Sequence, residues 1–253
     1  MTRGVLVVGS GSPIGRAIGR AFADAGDTVV GAALEQVDDS PYAADLVGDC
    51  ATATGAEAAV GVTVELAGRL DVVVLAAAAM PVAPITATTD AQWRSALDAT
   101  LGTAFAVSRA ALPLLAATAR PDRPRLAGPA IVAVSSVNAT LAAPGLPGYA
   151  TAKAGLEGLV RQLALEYGPV GVRVNAVAPG LIGGDGIPDA SAGYPLGRTG
   201  TPEEVAAAVF FLAGAGFVTG AVLPVDGGLT IASPAAFLRP DLRARWLAPG
   251  GAP

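Results

Sequence analysis

Val5-Leu6-Val7-Val8-Gly9-Ser10-Gly11-Ser12-Pro13-Ile14-Gly15 is an apolar run that breaks into a glycine-rich turn and enters a helix-like segment. An unbroken Val/Leu run without polar alternation fits a strand covered on both faces, as in a parallel sheet between helices. Glycines at such a turn let the backbone approach a pyrophosphate, which the unpaired N–H groups of the helix start can bind. Ser12 is a candidate helix N-cap, with Pro13 at the first helical position, where its missing N–H costs little. The turn is a weak motif alone. Its place after the first strand of a strand–helix–strand pattern points to dinucleotide binding.

The rest of the chain repeats that alternation. Residues 5–8, 28–32, 72–76, 131–135, 173–177 and 222–225 read as strands rich in Val, Ile and Ala. Residues 14–25, 55–67, 90–117, 149–167 and 202–212 read as helices, the last announced by Thr201 before Pro202 and Glu203-Glu204. The pattern predicts one α/β domain over residues 1–253. Its architecture is Rossmann-like and doubly wound, around a mainly parallel sheet of about seven strands. Residues 120–129, with three Pro and three Arg, read as an exposed loop, 181–198 as a lid-like loop and 233–253 as a tail.

Composition removes several chemistries. With 253 residues, 52% hydrophobic and 15% charged, the chain can bury a large core. It has no histidine and one cysteine, Cys50, so zinc sites and Ser-His-Asp or Cys-His catalysis lack their residues, and no metal site is expected. One cysteine permits no intrachain disulfide and suits a reducing cytoplasm. A net charge of −5 argues against nucleic acid as a partner. The longest apolar stretch, 72–85, is cut by Pro81 and Pro84 and is too short for a bilayer, so no membrane partner and no cleavable signal are expected.

Chemistry concentrates around Tyr149 and Lys153, four residues apart, with Ser136 thirteen residues upstream. On a helix that spacing puts phenol and ammonium on one face. A Lys⁺ beside a phenol favours the phenolate and lowers a pKa that is ordinarily about 10. Such a hydroxyl can trade a proton with an alcohol or ketone near neutral pH, while a serine hydroxyl holds the substrate oxygen.

These pieces, in order, resemble the short-chain dehydrogenase/reductase family over nearly the whole chain. They are the Gly9 to Gly15 turn, Asp45-Leu46 after the third strand, Leu70-Asp71 before the fourth, Ser135-Ser136, and Tyr149-x-x-x-Lys153. There follow Arg173-Val174-Asn175-Ala176-Val177-Ala178-Pro179-Gly180, Pro195-Leu196-Gly197-Arg198, Val218-Thr219-Gly220 and Val225-Asp226-Gly227-Gly228. The short connection from residue 33 to Asp45 omits most of the usual second helix, as in some hydroxysteroid and dihydrodiol dehydrogenases.

The resemblance implies roles. Tyr149 is the general acid in ketone reduction and general base in alcohol oxidation. Lys153 lowers its pKa and hydrogen-bonds the nicotinamide ribose, Ser136 orients the substrate oxygen, and Thr100 stands where a fourth catalytic residue, usually Asn, holds a relay water. Gly9, Ser12, Ile14, Gly15, Ala33 and Ala77 border the cofactor, together with Tyr149 and Lys153. Asp45 and Leu46 border the adenine; Pro179, Gly180 and Ile182 line the nicotinamide side. A homotetramer or homodimer is implied, helices 90–117 and 149–167 pairing across subunits.

Departures accompany the matches. Pro13 replaces a glycine of the turn, Leu75-Ala76-Ala77-Ala78 replaces Asn-Asn-Ala-Gly, and Gly184 replaces a threonine near the carboxamide. Ala33 stands where an Asp would bind the ribose of NAD, yet no Arg or Lys follows it; Leu34, Glu35 and Gln36 do. Arg16, just after Gly15, is placed either to reach a phosphate or on the exposed side of the first helix. NAD is the expected cofactor, with NADP open. The lid is glycine-rich and without a cation before Arg198, which suits a small, mostly apolar, cyclic substrate and predicts lid mobility. The leading reading is an NAD(P)-dependent oxidoreductase interconverting a secondary alcohol and a ketone. The alternatives are a non-redox isomerase, dehydratase or cyclase using Tyr149 and Lys153, and a silent binding subunit.

Overall fold

The computed structural model describes residues 2–119 and 128–245. Strands β1 (Gly4–Val8), β2 (Thr28–Ala33), β3 (Ala44–Val47), β4 (Val72–Leu75), β5 (Ala130–Val134), β6 (Arg173–Pro179) and β7 (Val222–Val225) form one sheet in the order β3-β2-β1-β4-β5-β6-β7. Every pairing is parallel. Helices α1 (Pro13–Asp24) and α6 (Pro202–Gly214) cover one face. Helices α2 (Ala53–Ala67), α4 (Thr103–Thr118) and α5 (Pro147–Tyr167) cover the other. The expected doubly wound α/β architecture is the observed one.

The unbroken apolar run of β1 has its explanation in these two layers. Val5 and Val7 point into the core under α1 and α6, whereas Leu6 and Val8 point into the core under α2, α4 and α5. Burying one such side chain fully stabilises the fold by about 1.5–3 kcal/mol, so a polar residue is costly on either side of the pleat. Asp71 ties the sheet at its start: its carboxylate accepts from the Gly4 N–H at 2.9 Å and from Arg69. Arg173 plays a similar structural part, donating to the backbone oxygens of Leu212, Ala213, Ala215 and Gly128.

Three boundaries differ from expectation. Asp45 and Leu46 lie inside β3, paired with Gly31 and Ala32, not after it. Four residues are too few for a periodicity to declare itself. The helix expected over 90–117 is three segments in succession: α3 (Asp90–Leu97), a π-helical turn (Asp98–Gly102) and α4. By length and composition that stretch suffices to cross a bilayer. However, Ala104, Val107, Ala111, Leu112 and Leu115 are buried in the core, as in a helix packed on a sheet. The tail contains two short helices, α7 (Pro234–Leu238) and α8 (Pro240–Arg243). Most of the loop expected over 120–129, and the tail beyond residue 245, lie outside the described residues.

Candidate active site

All seven strands end at one edge, and the strand order reverses between β1 and β4, the switch point where open α/β sheets bind ligands. A cleft of about 610 Å³ opens there, lined by Gly9, Gly11, Ser12, Ala33 and Ala77, with Glu35 and Asp49 among others on its walls. Gly9 has φ of +90°, and a Cβ on it would lie 2.5 Å from the Ala77 nitrogen. A Cβ on Gly15 would lie 2.3 Å from the Gly9 oxygen. Both positions therefore require glycine for close backbone approach. Ser12 caps α1 as expected: its Oγ accepts from the Gly15 N–H and donates to the Gly9 oxygen, each at 3.0 Å. Pro13 offers no N–H, so Ile14, at the second helical position and without an intrahelical partner, is the first backbone donor of the helix.

Asp45 and Leu46 do not line this cleft. β3 stops at Val47, and the residues just beyond its end, Gly48, Asp49, Cys50 and Ala51, form the wall. The signal was present in the sequence. Thr52 caps α2 by accepting from the Gly55 N–H, and the residues between a strand end and a helix cap are those that face a ligand. Of the two places open to Arg16, the cleft is the one it lines; its guanidinium donates to the backbone oxygens of Gly11 and Asp38 at 3.2 and 3.0 Å. Asp98 also lines it. Cys50 is buried there, and burial pushes its thiol up to about 11.

The second cluster stands at the end of β5. Tyr149 sits in the first turn of α5, which Pro147 starts. Lys153, one turn on, is 2% exposed and is the sole lysine of the chain. Its Nζ donates to the Val134 oxygen at 2.6 Å and lies 5.6 Å from the centroid of the Tyr149 ring. Ser136 caps the short turn Val137–Ala139, its Oγ accepting from the Asn138 N–H at 3.1 Å, and its hydroxyl faces the Tyr149 phenol. The electrostatics differ from the simple pair expected. Burial raises the Tyr149 pKa, with the Ser136 hydrogen bond opposing it, and burial lowers Lys153 to about 8. In the protein alone, desolvation thus outweighs the attraction between phenolate and ammonium, and both groups move toward their neutral forms.

Thr100 lies in the π-helical turn, 2% exposed, and its Oγ1 has no hydrogen-bond partner among the described residues. Local π-helical turns recur at functional sites because they re-aim a side chain. This turn packs on α5 at Gly155, where a Cβ would lie 2.9 Å from Leu101 Cδ2. Pro179 ends β6 beside β5, and Gly180 and Ile182 follow, Ile182 bridged to Gly200. The lid is tethered along its length. The Leu181 N–H donates to the buried Tyr194 hydroxyl at 2.6 Å, and Gly183 and Gly200 close a second tie with the Gly200 and Leu181 oxygens at 2.9 and 3.0 Å.

The glycine turn at the switch point and the Ser, Tyr and Lys cluster at the end of β5 thus share one edge of the sheet. A family model described as enoyl-(acyl carrier protein) reductase matches residues 8–230. The chain belongs to the short-chain dehydrogenase/reductase family. An uncharacterised oxidoreductase of Schizosaccharomyces pombe is 35% identical over 248 residues, covering 92% of each chain. A cis-4-hydroxycyclohexanecarboxylate dehydrogenase of Sinomonas cyclohexanicum is 37% identical over 248 residues, 90% of this chain and 96% of that one. Among solved structures, the ligand-free aldohexose dehydrogenase of Thermoplasma acidophilum superposes with a TM-score of 0.83 at 29% identity, over 92% of this chain and 96% of the other. The chain is an enzyme of the oxidoreductase class that this family represents.

Proposed function

We propose that the enzyme interconverts a secondary alcohol and a ketone on a small, mostly apolar, cyclic substrate, with NAD as its cofactor. The observation that carries this reading is the convergence of Ser136, Tyr149 and Lys153 at the end of β5, two strands along the same sheet edge from the glycine turn at the end of β1. Bound in the cleft, the nicotinamide dinucleotide supplies or accepts the hydride. The Tyr149 hydroxyl gives its proton to the substrate oxygen in reduction and takes it back in oxidation. Ser136 holds that oxygen, and Lys153, bound to the Val134 oxygen in the protein alone, is the residue that would hold the nicotinamide ribose. Thr100, buried and unpaired, holds the relay water.

The residues present fit a dinucleotide. Gly9, Gly11 and Ser12 line the cleft where a pyrophosphate would lie, Gly9 and Gly15 permit the tight backbone turn there, and the Ile14 N–H is free to donate. Ala33 and Ala77 flank it, and Asp49 and Cys50 take the adenine role that the sequence had suggested for Asp45 and Leu46. NAD is preferred over NADP because Glu35, Asp49 and Asp98 line the cleft against Arg16 alone, an acidic balance that opposes a 2′-phosphate. Pro179, Gly180 and Ile182 belong to the nicotinamide side. An apolar substrate is favoured by the exposed Met80, Val82, Ile85, Leu141 and Ile187. Residues 80–88, 141–147 and 181–197 contain no Arg or Lys, and Arg198 is paired with Glu204, so an anionic or carrier-bound substrate finds no free cation there. A homotetramer or homodimer agrees with the exposed Phe105 and Leu165 on α4 and α5.

The test is reduction of cyclohexanone and bulkier cyclic ketones with NADH by the wild type and by Tyr149→Phe. Loss of turnover in the variant with NADH affinity unchanged is expected; equal rates refute the mechanism. One observation favours a second reading, a non-redox enzyme using the same Tyr149 and Lys153: Pro13 removes a phosphate-facing N–H from the cradle. Absence of NADH and NADPH binding at millimolar concentration decides for it.

A further inference from the structure

β5 ends on Val134, and Ser135 and Ser136 follow it. Helix α5 crosses that end with Tyr149, Lys153 and Glu157, each four residues from the next and hence on one face. The two triplets meet residue for residue. Lys153 Nζ donates to the Val134 oxygen at 2.6 Å, Ser135 Oγ donates to Glu157 Oε1 at 2.8 Å, and the Ser136 hydroxyl faces the Tyr149 phenol. The outer two links contain the groups of the proposed reaction. The middle link has no part in it.

That middle link is buried at both ends, with Ser135 2% and Glu157 7% exposed. A buried carboxyl group whose one hydrogen-bond partner among the described residues is a hydroxyl is a costly way to fill space that a leucine would fill for less. The Ser135 N–H is already bound to the Val177 oxygen at 2.7 Å, so the backbone is held from the β6 side and the side chain from the α5 side. Ser136 comes next, so the Ser135–Glu157 bond is the last lateral tie before the catalytic serine.

We propose that Glu157 is a positioning residue of the active site: by holding Ser135 it sets the register of the β5 end against α5, and with it the meeting of the Ser136 and Tyr149 hydroxyls. This rests on the oxidoreductase reading of the site, but its test does not depend on turnover. The Ser136 hydrogen bond holds the Tyr149 pKa below what burial alone would give. Loosening the register therefore raises it.

The chain has four tyrosines, so protein made with 3-fluorotyrosine, whose phenol ionises at lower pH than tyrosine's, gives four ¹⁹F signals. Tyr149→Phe identifies the signal of Tyr149. Glu157→Gln, which keeps an acceptor oxygen, is expected to leave the Tyr149 midpoint at the wild-type value. Glu157→Ala and Ser135→Ala are expected to raise it by about half a pH unit or more, the size of a weakened hydrogen bond to the charged form, with the other three signals unmoved. Ser135→Ala keeps the test available if Glu157→Ala does not fold. With the best cyclic ketone and NADH, Glu157→Ala is expected to lose roughly tenfold in kcat with KM little changed, as a misplaced catalytic group does. An unmoved Tyr149 midpoint in both alanine variants overturns the proposal. So does a shift in Glu157→Gln as large as in Glu157→Ala, since then the charge and not the bond is in control. If the wild type reduces no ketone, the oxidoreductase reading fails while the ¹⁹F titration still decides the role of Glu157.

Discussion

Replacing Lys153 by Met is expected to stabilise the protein relative to wild type in a strongly pH-dependent way. Lys153 is fully buried, and burial lowers its pKa from the ordinary 10.5 to about 8. At pH 7 both folded and unfolded chains carry the charge, and holding it in the interior costs about 3 kcal/mol at roughly 1.4 kcal/mol per unit of pKa shift. Between pH 8 and 10.5 the unfolded chain keeps this proton and the folded chain has lost it, so wild-type stability rises with pH through that window. By pH 10 the cost has fallen to about 1 kcal/mol. Methionine has no charge to bury but leaves the Val134 oxygen without the 2.6 Å donor, a roughly constant loss of about 1–3 kcal/mol. The constant loss sets where the two curves cross; the pH-dependent part is the signature. Because the chain has no other lysine and no histidine, tyrosine and carboxylate ionisations common to both proteins cancel in the difference. Urea denaturation of both proteins at pH 7, 8, 9 and 10 measures it. A stability gap that stays flat, or that moves in favour of the variant as pH rises, refutes the desolvated lysine.

Gly9→Ala places a Cβ 2.5 Å from the Ala77 nitrogen at a φ of +90°; a loss of about 1–2 kcal/mol from the backbone alone is expected, with the clash added, and NADH binding by calorimetry should vanish. Asp49→Ala is expected to weaken NADH about tenfold, the loss of one good hydrogen bond, whereas Asp45→Ala, whose residue lies in β3 away from the cleft, leaves the affinity alone. Tyr194→Phe removes the acceptor of the Leu181 N–H and is expected to lower stability by about 1 kcal/mol in urea and to raise KM for the ketone, since the lid loses an anchor.

The residues around β1 show how far local pattern reaches. Val5 to Val8 declare a strand apolar on both faces, and Gly9, Ser12, Pro13 and Gly15 declare the turn and cap that follow, because backbone conformation and capping are properties of neighbours in the chain. The pairing of Tyr149 with Lys153 was equally legible, since helical spacing sets it. Beyond such ranges, only tertiary structure decided. The cleft wall beyond β3 is Asp49 and Cys50, not Asp45 and Leu46, because β3 ends at Val47, a boundary set by pairing with β2 that no four-residue pattern reveals. The ionisation of the Tyr149–Lys153 pair follows burial beneath β5, which outweighs the attraction that spacing alone suggests. Glu157 reads in sequence as one more helix-surface acid; only the packing of α5 across the end of β5 brings it to Ser135, twenty-two residues away. Sequence determined the elements and the chemistry each carries, because both are short-range. Structure decided which side chains share a buried space, because burial is a property of the whole fold.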